Sequence, residues 1–308
     1  MNPSSKEKTA LKPFVKWAGG KRQVLAEIQK YLPEDIESRV YVEPFVGAGA
    51  LLFKLQPQKV VINDSNKDLI LCYRQIRDHV NPLIEVLKNH REQHSKEYYL
   101  RIREQDREKS YHTSSDIEKA GRLIYLNKTC YNGLYRVNSQ GFFNVPFGRY
   151  KNPPICEESL LTLISGYLNS ADITILNTDF EEAVNMTGFD GINRNSFVYF
   201  DPPYHSSEKT GFKSYQAGGF DEGEQIRLRD LFFNLTERGI PCLLSNADTP
   251  FIRDLYSDNA FQLATITARR PINSDHSRRG RVNEVLIKNW GGSVSGAKKC
   301  LSPRLHIS

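Results

Sequence analysis

The chain has 308 residues, enough for one large domain or two smaller ones with sizeable cores. Apolar residues make up 39% of it and charged residues 25%, a globular composition that excludes a wholly disordered protein. The 42 Lys and Arg outnumber the 36 Asp and Glu, and the net charge of +6 is compatible with nucleic-acid binding without indicating it. No apolar run comes near the ~18 residues that a transmembrane helix needs, and residues 1–6 lack the apolar region of a signal peptide.

The cysteines and histidines favour a reducing compartment and no metal site. Five cysteines are scattered with no Cys-x-x-Cys pair, which disfavours a disulfide framework or a zinc ribbon. The seven histidines show no metal-ligand spacing. We therefore expect a cytoplasmic protein that has no metal and no membrane segment.

Short β-branched runs alternate with helical stretches over much of the chain. The runs that predict strands are residues 39–43, 59–63, 172–176, 196–200, 241–245 and 284–289. Helices are predicted over residues 23–30, 51–55 and 222–238. Asp221 is the expected N-cap of the last helix and Gly239 its stop. The alternation predicts an α/β fold with a doubly wound, mostly parallel sheet, whose ligands bind at the carboxyl ends of the strands.

A Gly-rich turn follows the first predicted strand. Gly47 and Gly49 allow a ligand to approach the backbone closely, but the third glycine of a dinucleotide fingerprint is missing, so NAD binding is disfavoured. Asp64 follows the next strand, where an acid suits the two hydroxyls of a ribose. The two features favour a nucleoside ligand, and the alternative is a tight turn followed by an ordinary surface Asp.

The tetrad Asp201-Pro202-Pro203-Tyr204 directly follows the apolar strand 196–200. The two prolines stiffen the turn and remove two backbone donors, while their carbonyls stay able to accept. A carboxylate, a carbonyl and an aromatic face together suit an exocyclic amino group on a planar base. The alternative interpretation is a proline turn that merely ends a strand.

Several segments together resemble the DNA adenine methyltransferase (Dam) family. The order of the Gly turn and the tetrad resembles the α class of that family, and the resemblance covers about residues 11–290. The segments are residues 16–21 (KWAGGK), 43–49 (EPFVGAG), 63–64 (ND) and 201–204 (DPPY), with 131–138 (YNGLYRVN) and 143–150 (FNVPFGRY) similar to the target-recognition hairpin of Dam and of DpnII-type modification methylases.

The resemblance implies a Rossmann-like class I methyltransferase sheet with an inserted, mostly helical target-recognition domain that carries a β-hairpin. Its catalytic domain would be discontinuous, over residues 1–70 and 166–292, with the recognition domain at 71–165 and a flexible basic tail at 293–308.

The resemblance also implies the site residues. Those expected to bind S-adenosylmethionine are Trp17, Lys21, Phe45, Gly47, Gly49, Asp64, Asp179 and Asp201. Asp179 falls where an acid reaches the adenine of that cofactor. Asp201, Pro202 and Tyr204 are the expected catalytic residues.

The implied activity is methyl transfer to N6 of adenine in double-stranded DNA, within GATC, by base flipping and direct transfer. Hydrogen bonds from N6 to the Asp201 carboxylate and the Pro202 carbonyl would aim the nitrogen lone pair at the methyl group. Neither a covalent intermediate nor a metal is needed. The alternatives are adenine in another sequence, N4 of cytosine, which Asp201 disfavours, and a relative that binds DNA without catalysis.

Residues 128–151 interleave base-reading and stacking side chains, Lys128 and Tyr135 among them. The family pattern points to Lys16, Asn132, Arg136, Arg149 and Tyr150 as DNA contacts. Tyr131 or Tyr135 is expected to fill the gap that a flipped base leaves. A hairpin turn is predicted at residues 139–141. The alternative is an exposed hairpin with scattered charges.

Two further segments are expected to act on the substrate. The arginines of residues 269–281 suggest a loop that grips phosphate. Residues 205–219, rich in Gly, Ser and Lys, are expected to order when substrate closes the pocket. The expected partners are double-stranded DNA and a cognate restriction endonuclease that acts separately, in the cytoplasm of a bacterium or of a phage host.

Overall fold

The computed structural model describes residues 10–21, 24–185, 192–206, 220–269 and 281–291. The strands in these ranges are β1 (Val40–Glu43), β2 (Lys59–Asn63), β3 (Asp172–Leu176), β4 (Ser196–Phe200), β5 (Cys242–Ala247), β6 (Gln262–Arg269) and β7 (Arg281–Lys288). The α-helices are α1 (Leu25–Gln29), α2 (Ala50–Leu55), α3 (Lys67–Asp78), α4 (Val80–Glu92), α5 (Lys96–Glu104), α6 (Asp116–Thr129), α7 (Glu158–Ser170), α8 (Phe180–Asn185), α9 (Glu222–Glu237) and α10 (Pro250–Leu255). Short 3-10 turns span Ile36–Ser38, Gln105–Arg107, Lys109–Thr113 and Tyr131–Gly133.

The strands form one sheet in the order β3-β2-β1-β4-β5-β7-β6. The pairings among β1 to β5 are parallel, whereas β7 runs antiparallel to both β5 and β6. The direction of winding reverses between β1 and β4, the point at which such sheets bind their ligands. The predicted doubly wound α/β class, with the Rossmann-like methyltransferase sheet that the resemblance implies, is therefore confirmed.

Sequence pattern located most of the strands. β2, β3 and β4 begin and end where predicted, β1 begins one residue later, and β5 and β7 are displaced from their predicted bounds. β6 was not predicted, because only Leu263 and Ile266 are large apolar residues in this edge strand, too few to distinguish it by pattern. The Asp221 side chain caps α9 as predicted, accepting from the Glu224 backbone N–H at 2.9 Å, and Gly239 follows the helix at φ +71°.

Both faces of the sheet are covered. Alternate strand residues point to opposite faces, so Tyr41 and Phe197 lie in one core while Val42 and Val198 lie in the other. The first core is completed by α3, α4, α6 and α7, and the second by α8, α9 and α10. Burial on both faces explains why every residue of β4 is buried and reads as a continuous apolar run.

A third, smaller core lies beside the first. It is made by α5, the C-terminal part of α6 and the segment that follows, with Tyr99, Tyr125, Phe143 and Val145 at its centre. The segment predicted to be a separate domain, residues 71–165, thus contributes helices to the core of the sheet as well as to this cluster. The division into a catalytic and a recognition domain stays a prediction.

Within the described ranges, no helix combines the length and apolar character needed to cross a membrane. The same residues place no three His, Cys, Asp or Glu side chains where they would hold a metal ion together. The four cysteines of the described segments, Cys72, Cys130, Cys156 and Cys242, are free thiols.

Candidate active site

Asp201 lies immediately after β4, at the carboxyl edge of the sheet. Its Oδ1 receives both the Lys21 Nζ at 2.8 Å and the Ser245 hydroxyl at 2.8 Å. Among the described contacts, neither donor reaches Oδ2, so that oxygen can accept from a ligand. Burial raises the pKa of Asp201, and the Lys21 ammonium and the Ser245 hydroxyl oppose that effect. The result is a carboxylate of fixed orientation with one oxygen available.

Lys21 joins three parts of this site. Its side chain is only 5% exposed, and its Nζ donates to the Gly19 carbonyl at 2.9 Å as well as pairing with Asp201. The same ammonium lies 4.3 Å from the centre of the Tyr204 ring. Lys21, Asp201 and Tyr204, predicted separately, are thus in direct contact.

The tetrad turn is held by side chains of β7, α9 and β5. The Tyr204 hydroxyl donates to Glu284 on β7 at 2.8 Å, which fixes the ring. The Pro203 carbonyl accepts from the Gln225 side chain at 2.9 Å, and Gln225 accepts in turn from Asn246 at 2.9 Å. In the described part of the chain no donor reaches the Pro202 carbonyl, which therefore stays able to accept from a substrate.

Sequence reasoning missed the residues that hold the tetrad. Ser245 and Asn246 end β5, next to β4 in the sheet, and both are fully buried. The Asn246 side chain also accepts the His205 backbone N–H at 3.0 Å, so it fixes the chain just after Tyr204. Their place at the carboxyl end of a predicted strand was the available signal, but nothing in the sequence identified their partners.

The Gly turn and Asp64 lie together at the ends of β1 and β2. The Asp64 carboxylate accepts the backbone N–H of Gly47 at 3.0 Å and that of Asn66 at 2.9 Å. Burial raises the pKa of Asp64, and those two amides oppose the effect. Gly49 has φ +71°, and a Cβ there would lie 2.6 Å from the Tyr73 hydroxyl, so a side chain at this position is excluded.

Two further buried residues shape this edge of the sheet. Asn63 donates to the Pro44 and Thr178 carbonyls at 3.0 Å each, so it ties together the loops that follow β1 and β3. Glu43 is 2% exposed and accepts from the Tyr41 hydroxyl at 2.8 Å. Burial raises the pKa of Glu43 well above its usual value, and the nearby Asp201 and Asp64 carboxylates raise it further, while the Tyr41 hydroxyl opposes them.

Asp179 lies in the loop after β3, beside the aromatic rings of the Gly turn. Phe45 stacks on Phe180 with ring centres 5.3 Å apart, and Phe220 packs edge-on to Phe45. Arg227 pairs with Asp179 and lies 4.3 Å from the Phe180 ring. Burial raises the pKa of Asp179, but the Arg227 guanidinium and the backbone amides of Glu181 and Glu182 together lower it below its usual value, so this carboxylate is charged and already engaged. Its expected role at the cofactor adenine stays a prediction.

Lys16 and Trp17 connect the sheet to the expected DNA contacts. The Lys16 ammonium approaches the Tyr150 hydroxyl at 3.2 Å and lies 4.6 Å from the centre of its ring. The buried side chain of Asn127 accepts the Lys16 backbone N–H at 2.9 Å. Trp17 packs on the Gly turn, because a Cβ at Gly47 would lie 3.2 Å from its Cδ1.

Residues 128–151, hereafter the recognition segment, expose three of their predicted DNA contacts to solvent. Tyr131 is 46% exposed, while Asn132, at φ +56°, and Arg149 are exposed as well. Arg136 reaches across to Asn144, donating at 2.7 Å to its side chain and at 3.0 Å to its carbonyl. The contacts of these groups with DNA bases stay a prediction.

The predicted turn within this segment is present. The Gly141 backbone N–H donates to the Asn138 carbonyl at 2.9 Å, and an isolated antiparallel bridge pairs Val137 with Phe143. The hairpin is therefore short, and its ends are held by side chains more than by a strand ladder.

Two side chains of residues 128–151 that were expected to read or stack on bases, those of Lys128 and Tyr135, are not exposed. Lys128 is buried and pairs with Glu157 at 2.6 Å, so it was wrong to group it with the base-reading side chains. Tyr135 is half-buried and stacks on Trp17, so of the two tyrosines expected to fill the gap only Tyr131 is exposed to solvent.

Three expectations concern residues outside the described ranges. The closing segment 205–219 is described only to residue 206, and the arginine loop 269–281 only at its two ends. The expected basic tail, residues 293–308, lies wholly outside.

Comparison with known proteins identifies the family. A family model described as D12 class N6 adenine-specific DNA methyltransferase matches residues 17–272. The chain is 47% identical over 292 residues to Type II methyltransferase M1.LlaDCHI of Lactococcus lactis subsp. cremoris, covering 94% of this chain and 100% of the relative. It is 41% identical over 297 residues to Type II methyltransferase M.MjaIII of Methanocaldococcus jannaschii, covering 91% and 99% of the two chains. It is 34% identical over 290 residues to the DNA adenine methylase of Escherichia coli strain K12, covering 93% and 98%.

The fold and the site are those of a DNA methyltransferase. The family model that matches residues 17–272 identifies the class to which the enzyme belongs. The protein belongs to the D12 class of N6 adenine-specific DNA methyltransferases. The resemblance of its motifs to the Dam family is confirmed, and so is adenine-N6 methyl transfer as its activity.

Proposed function

We propose that this enzyme transfers the methyl group of S-adenosylmethionine to N6 of an adenine that has left the stack of double-stranded DNA, within GATC. The observation that carries the proposal is the geometry of the tetrad. Asp201 Oδ2 and the Pro202 carbonyl are left to accept, and the Tyr204 ring is held beside them. This is the set of groups that an exocyclic amine on a planar base requires.

The residues around the Gly turn fit the proposed cofactor. Asp64 is fixed by two backbone amides, which leaves further lone pairs on its oxygens for ribose hydroxyls. The aromatic rings of Phe45 and Phe180 offer a face for the adenine, with Trp17 on the other side of the turn. When bound, S-adenosylmethionine supplies a methyl group that its sulfonium activates toward nucleophiles.

The protein's part in the transfer is to prepare the nucleophile. The lone pair of adenine N6 is delocalised into the ring and is therefore a poor nucleophile. Two fixed acceptors, Asp201 Oδ2 and the Pro202 carbonyl, would bind both N6 protons and favour a tetrahedral nitrogen whose lone pair is directed away from them. Positive charge that develops on N6 is met by the Asp201 carboxylate, and the positioning lowers the barrier further.

The recognition segment supports sequence-specific binding. Arg136 and Asn132 are residue types that read guanine and adenine in the major groove, and Asn132 is exposed next to Tyr131 in the chain. Lys16 and Arg149 would contact the DNA next to them. We further propose residues 71–165 as the target-recognition domain, inserted into the catalytic one.

Methylation of plasmid DNA tests the proposed sequence. Purified enzyme is incubated with S-adenosylmethionine, and the plasmid is digested with endonucleases that differ in their sensitivity to GATC methylation. We expect every GATC site to gain N6-methyladenine. Unmodified GATC sites beside methyladenine in another sequence would show that the proposed sequence is wrong while leaving the activity intact.

Base flipping has its own readout. Duplexes that carry 2-aminopurine in place of the target adenine fluoresce more strongly when that base leaves the stack. We expect a rise on binding that is absent when the 2-aminopurine lies outside the recognition sequence, and equal signals at both positions would contradict flipping of the target.

We also propose that the enzyme protects DNA against a separate restriction endonuclease of the same specificity. The support is the similarity to two relatives named Type II methyltransferases. Plasmid methylated by this enzyme should resist an endonuclease that cleaves unmodified sites, and cleavage at an unchanged rate would contradict this role.

A further inference from the structure

Tyr135 lies between the proposed cofactor site and the recognition segment. Its ring stacks on Trp17, with centres 5.2 Å apart and planes 29° apart. Its hydroxyl donates to Asp68 Oδ2 at 3.2 Å. Another edge of the ring meets Phe143, 6.0 Å away, in the core of the recognition segment. One side chain therefore contacts both regions.

On the side of the sheet, Tyr135 contacts Trp17 and Asp68. Each of these residues is connected to the proposed cofactor site. Trp17 packs against the backbone of Gly47. Asp68 lies in the first turn of α3, and the N-cap of that helix, Asn66, donates its backbone N–H to Asp64. A change at Gly47 or at Asp64 on ligand binding is thus transmitted directly to the neighbours of Tyr135.

A second tie joins the same two parts of the chain. The buried Asn127 side chain donates to the Lys16 carbonyl at 2.7 Å and to the Gly133 carbonyl at 3.0 Å. Gly133 lies so close to Lys16 that a Cβ would come within 2.5 Å of its side chain. Because close-packed groups transmit displacements, residues 16–17 and 133–136 are expected to move as one unit.

We propose that Tyr135 is a positioning residue that couples cofactor binding to DNA recognition. The proposal rests on the proposed function, since it takes S-adenosylmethionine at the Gly turn and GATC at the recognition segment. A bound cofactor fixes Trp17, Trp17 fixes Tyr135, and Tyr135 fixes the backbone that carries Arg136. DNA then binds a segment that is already ordered, and by reciprocity DNA strengthens cofactor binding by the same factor.

The test measures the affinity of a fluorescein-labelled GATC duplex by anisotropy, with and without saturating sinefungin, a cofactor analogue that transfers no methyl group. We expect sinefungin to tighten binding by the wild type about tenfold, within the usual range for coupled sites. In Tyr135→Leu the ratio of the two affinities should fall to about twofold or less. Phe142→Leu is the matched control and should keep the wild-type ratio, because that hairpin ring lies against Arg107 and not against the cofactor side.

The ratio of DNA affinities with and without sinefungin distinguishes coupling from damage to the fold. A purely structural role of Tyr135 would weaken both affinities by the same factor and leave their ratio unchanged. A wild-type ratio in Tyr135→Leu overturns the proposal, and so does a wild-type enzyme whose affinity does not respond to sinefungin. Methylation of GATC plasmid by the same wild-type preparation shows whether the proposed function itself has failed. If circular dichroism shows the leucine variant to be unfolded, Tyr135→Met, whose flexible unbranched side chain adapts better to the space that the ring leaves, takes its place in the same comparison.

Discussion

The catalytic edge of the sheet and the recognition segment differ in how firmly they hold their side chains. Asp201 and Asp64 each accept two hydrogen bonds from the protein at 3.0 Å or less. Tyr131, Asn132 and Arg149 are instead exposed, on a 3-10 turn and beside isolated bridges. Methyl transfer needs acceptors that are in place before the transition state, whereas base contacts can be completed when the DNA binds. We infer that the catalytic edge determines the rate of methyl transfer and that the recognition segment determines which DNA sequence is methylated.

The largest effect is expected at Asp201. Asp201→Ala removes the acceptor for N6 and should lower the single-turnover rate by roughly 10³-fold, as loss of a charge-stabilising group does. Affinity for the GATC duplex should stay within about threefold of wild type, because the phosphate and base contacts lie elsewhere. Rapid-quench kinetics and anisotropy measure the two quantities. Turnover near the wild-type rate would refute the role given to this carboxylate.

A smaller loss is expected when Lys21 no longer holds that carboxylate. Lys21→Met should lower the rate by about 10²-fold through loss of orientation. It should also move the acid limb of the pH–rate profile to higher pH. Burial raises the pKa of Asp201 and Lys21 lowers it, so removing the ammonium raises the pKa further and the carboxylate is protonated at higher pH.

Lys30→Met provides the control for this substitution, because Lys30 is exposed and pairs with Glu27 on the surface. Its profile should match that of the wild type. If the acid limb of Lys21→Met moved to lower pH or did not move, the Lys21 ammonium would not lower the pKa of Asp201 as proposed.

Asp64 should affect cofactor binding more than chemistry. Asp64→Asn keeps the shape of the side chain but loses the charge that would accept from ribose hydroxyls, so sinefungin should bind roughly 10–30-fold more weakly, as loss of a charged hydrogen bond implies. The rate at saturating S-adenosylmethionine should change little. Calorimetry and a KM–kcat comparison measure the two effects, and a fall in kcat at unchanged KM would place Asp64 in the chemistry instead.

The smallest effect concerns the hydrogen bond between Tyr204 and Glu284. Tyr204→Phe and Glu284→Gln each weaken it while keeping the ring in place, and each should lower kcat about fivefold, the equivalent of about 1 kcal/mol. Because they affect the same bond, the double variant should lose little more than either single variant. If the two substitutions instead lowered kcat independently, so that their effects multiplied in the double variant, the hydrogen bond would not position the Tyr204 ring.

The difference between the catalytic edge and the recognition segment also explains which site residues could be predicted from the sequence. Apolar strands that end in Asp64 and Asp201 locate the site, because parallel strands bring their carboxyl ends to one edge. The residues that hold the Asp201 carboxylate, Ser245 and Lys21, lie far from it along the chain. Their pairing with Asp201 depends on strand order, which periodicity does not contain, and only the family resemblance indicated Lys21.

The recognition segment was harder to predict. Its residue types were informative, but Lys128 and Tyr135 have the same chemistry as their exposed neighbours and turn inward. What distinguishes them is tertiary: Lys128 meets Glu157, and Tyr135 meets Trp17. Tyr135 lies beyond α6 in a stretch with little regular secondary structure, which carries no period from which a buried face can be inferred. Lys128 lies in the last turn of α6, where residues 120–129 are all buried, so helical period does not distinguish a buried face there either.

The most direct test of the division between rate and sequence is the ratio of single-turnover rates on a GATC duplex and on a duplex with one base pair changed. Lys21→Met should slow both reactions by the same factor and leave the ratio at the wild-type value. Arg136→Lys keeps the charge but loses the planar fork that reads guanine, so its ratio should fall by roughly tenfold or more while its rate on GATC changes less. If Lys21→Met changes the ratio as much as Arg136→Lys does, the two regions do not divide the work as we infer.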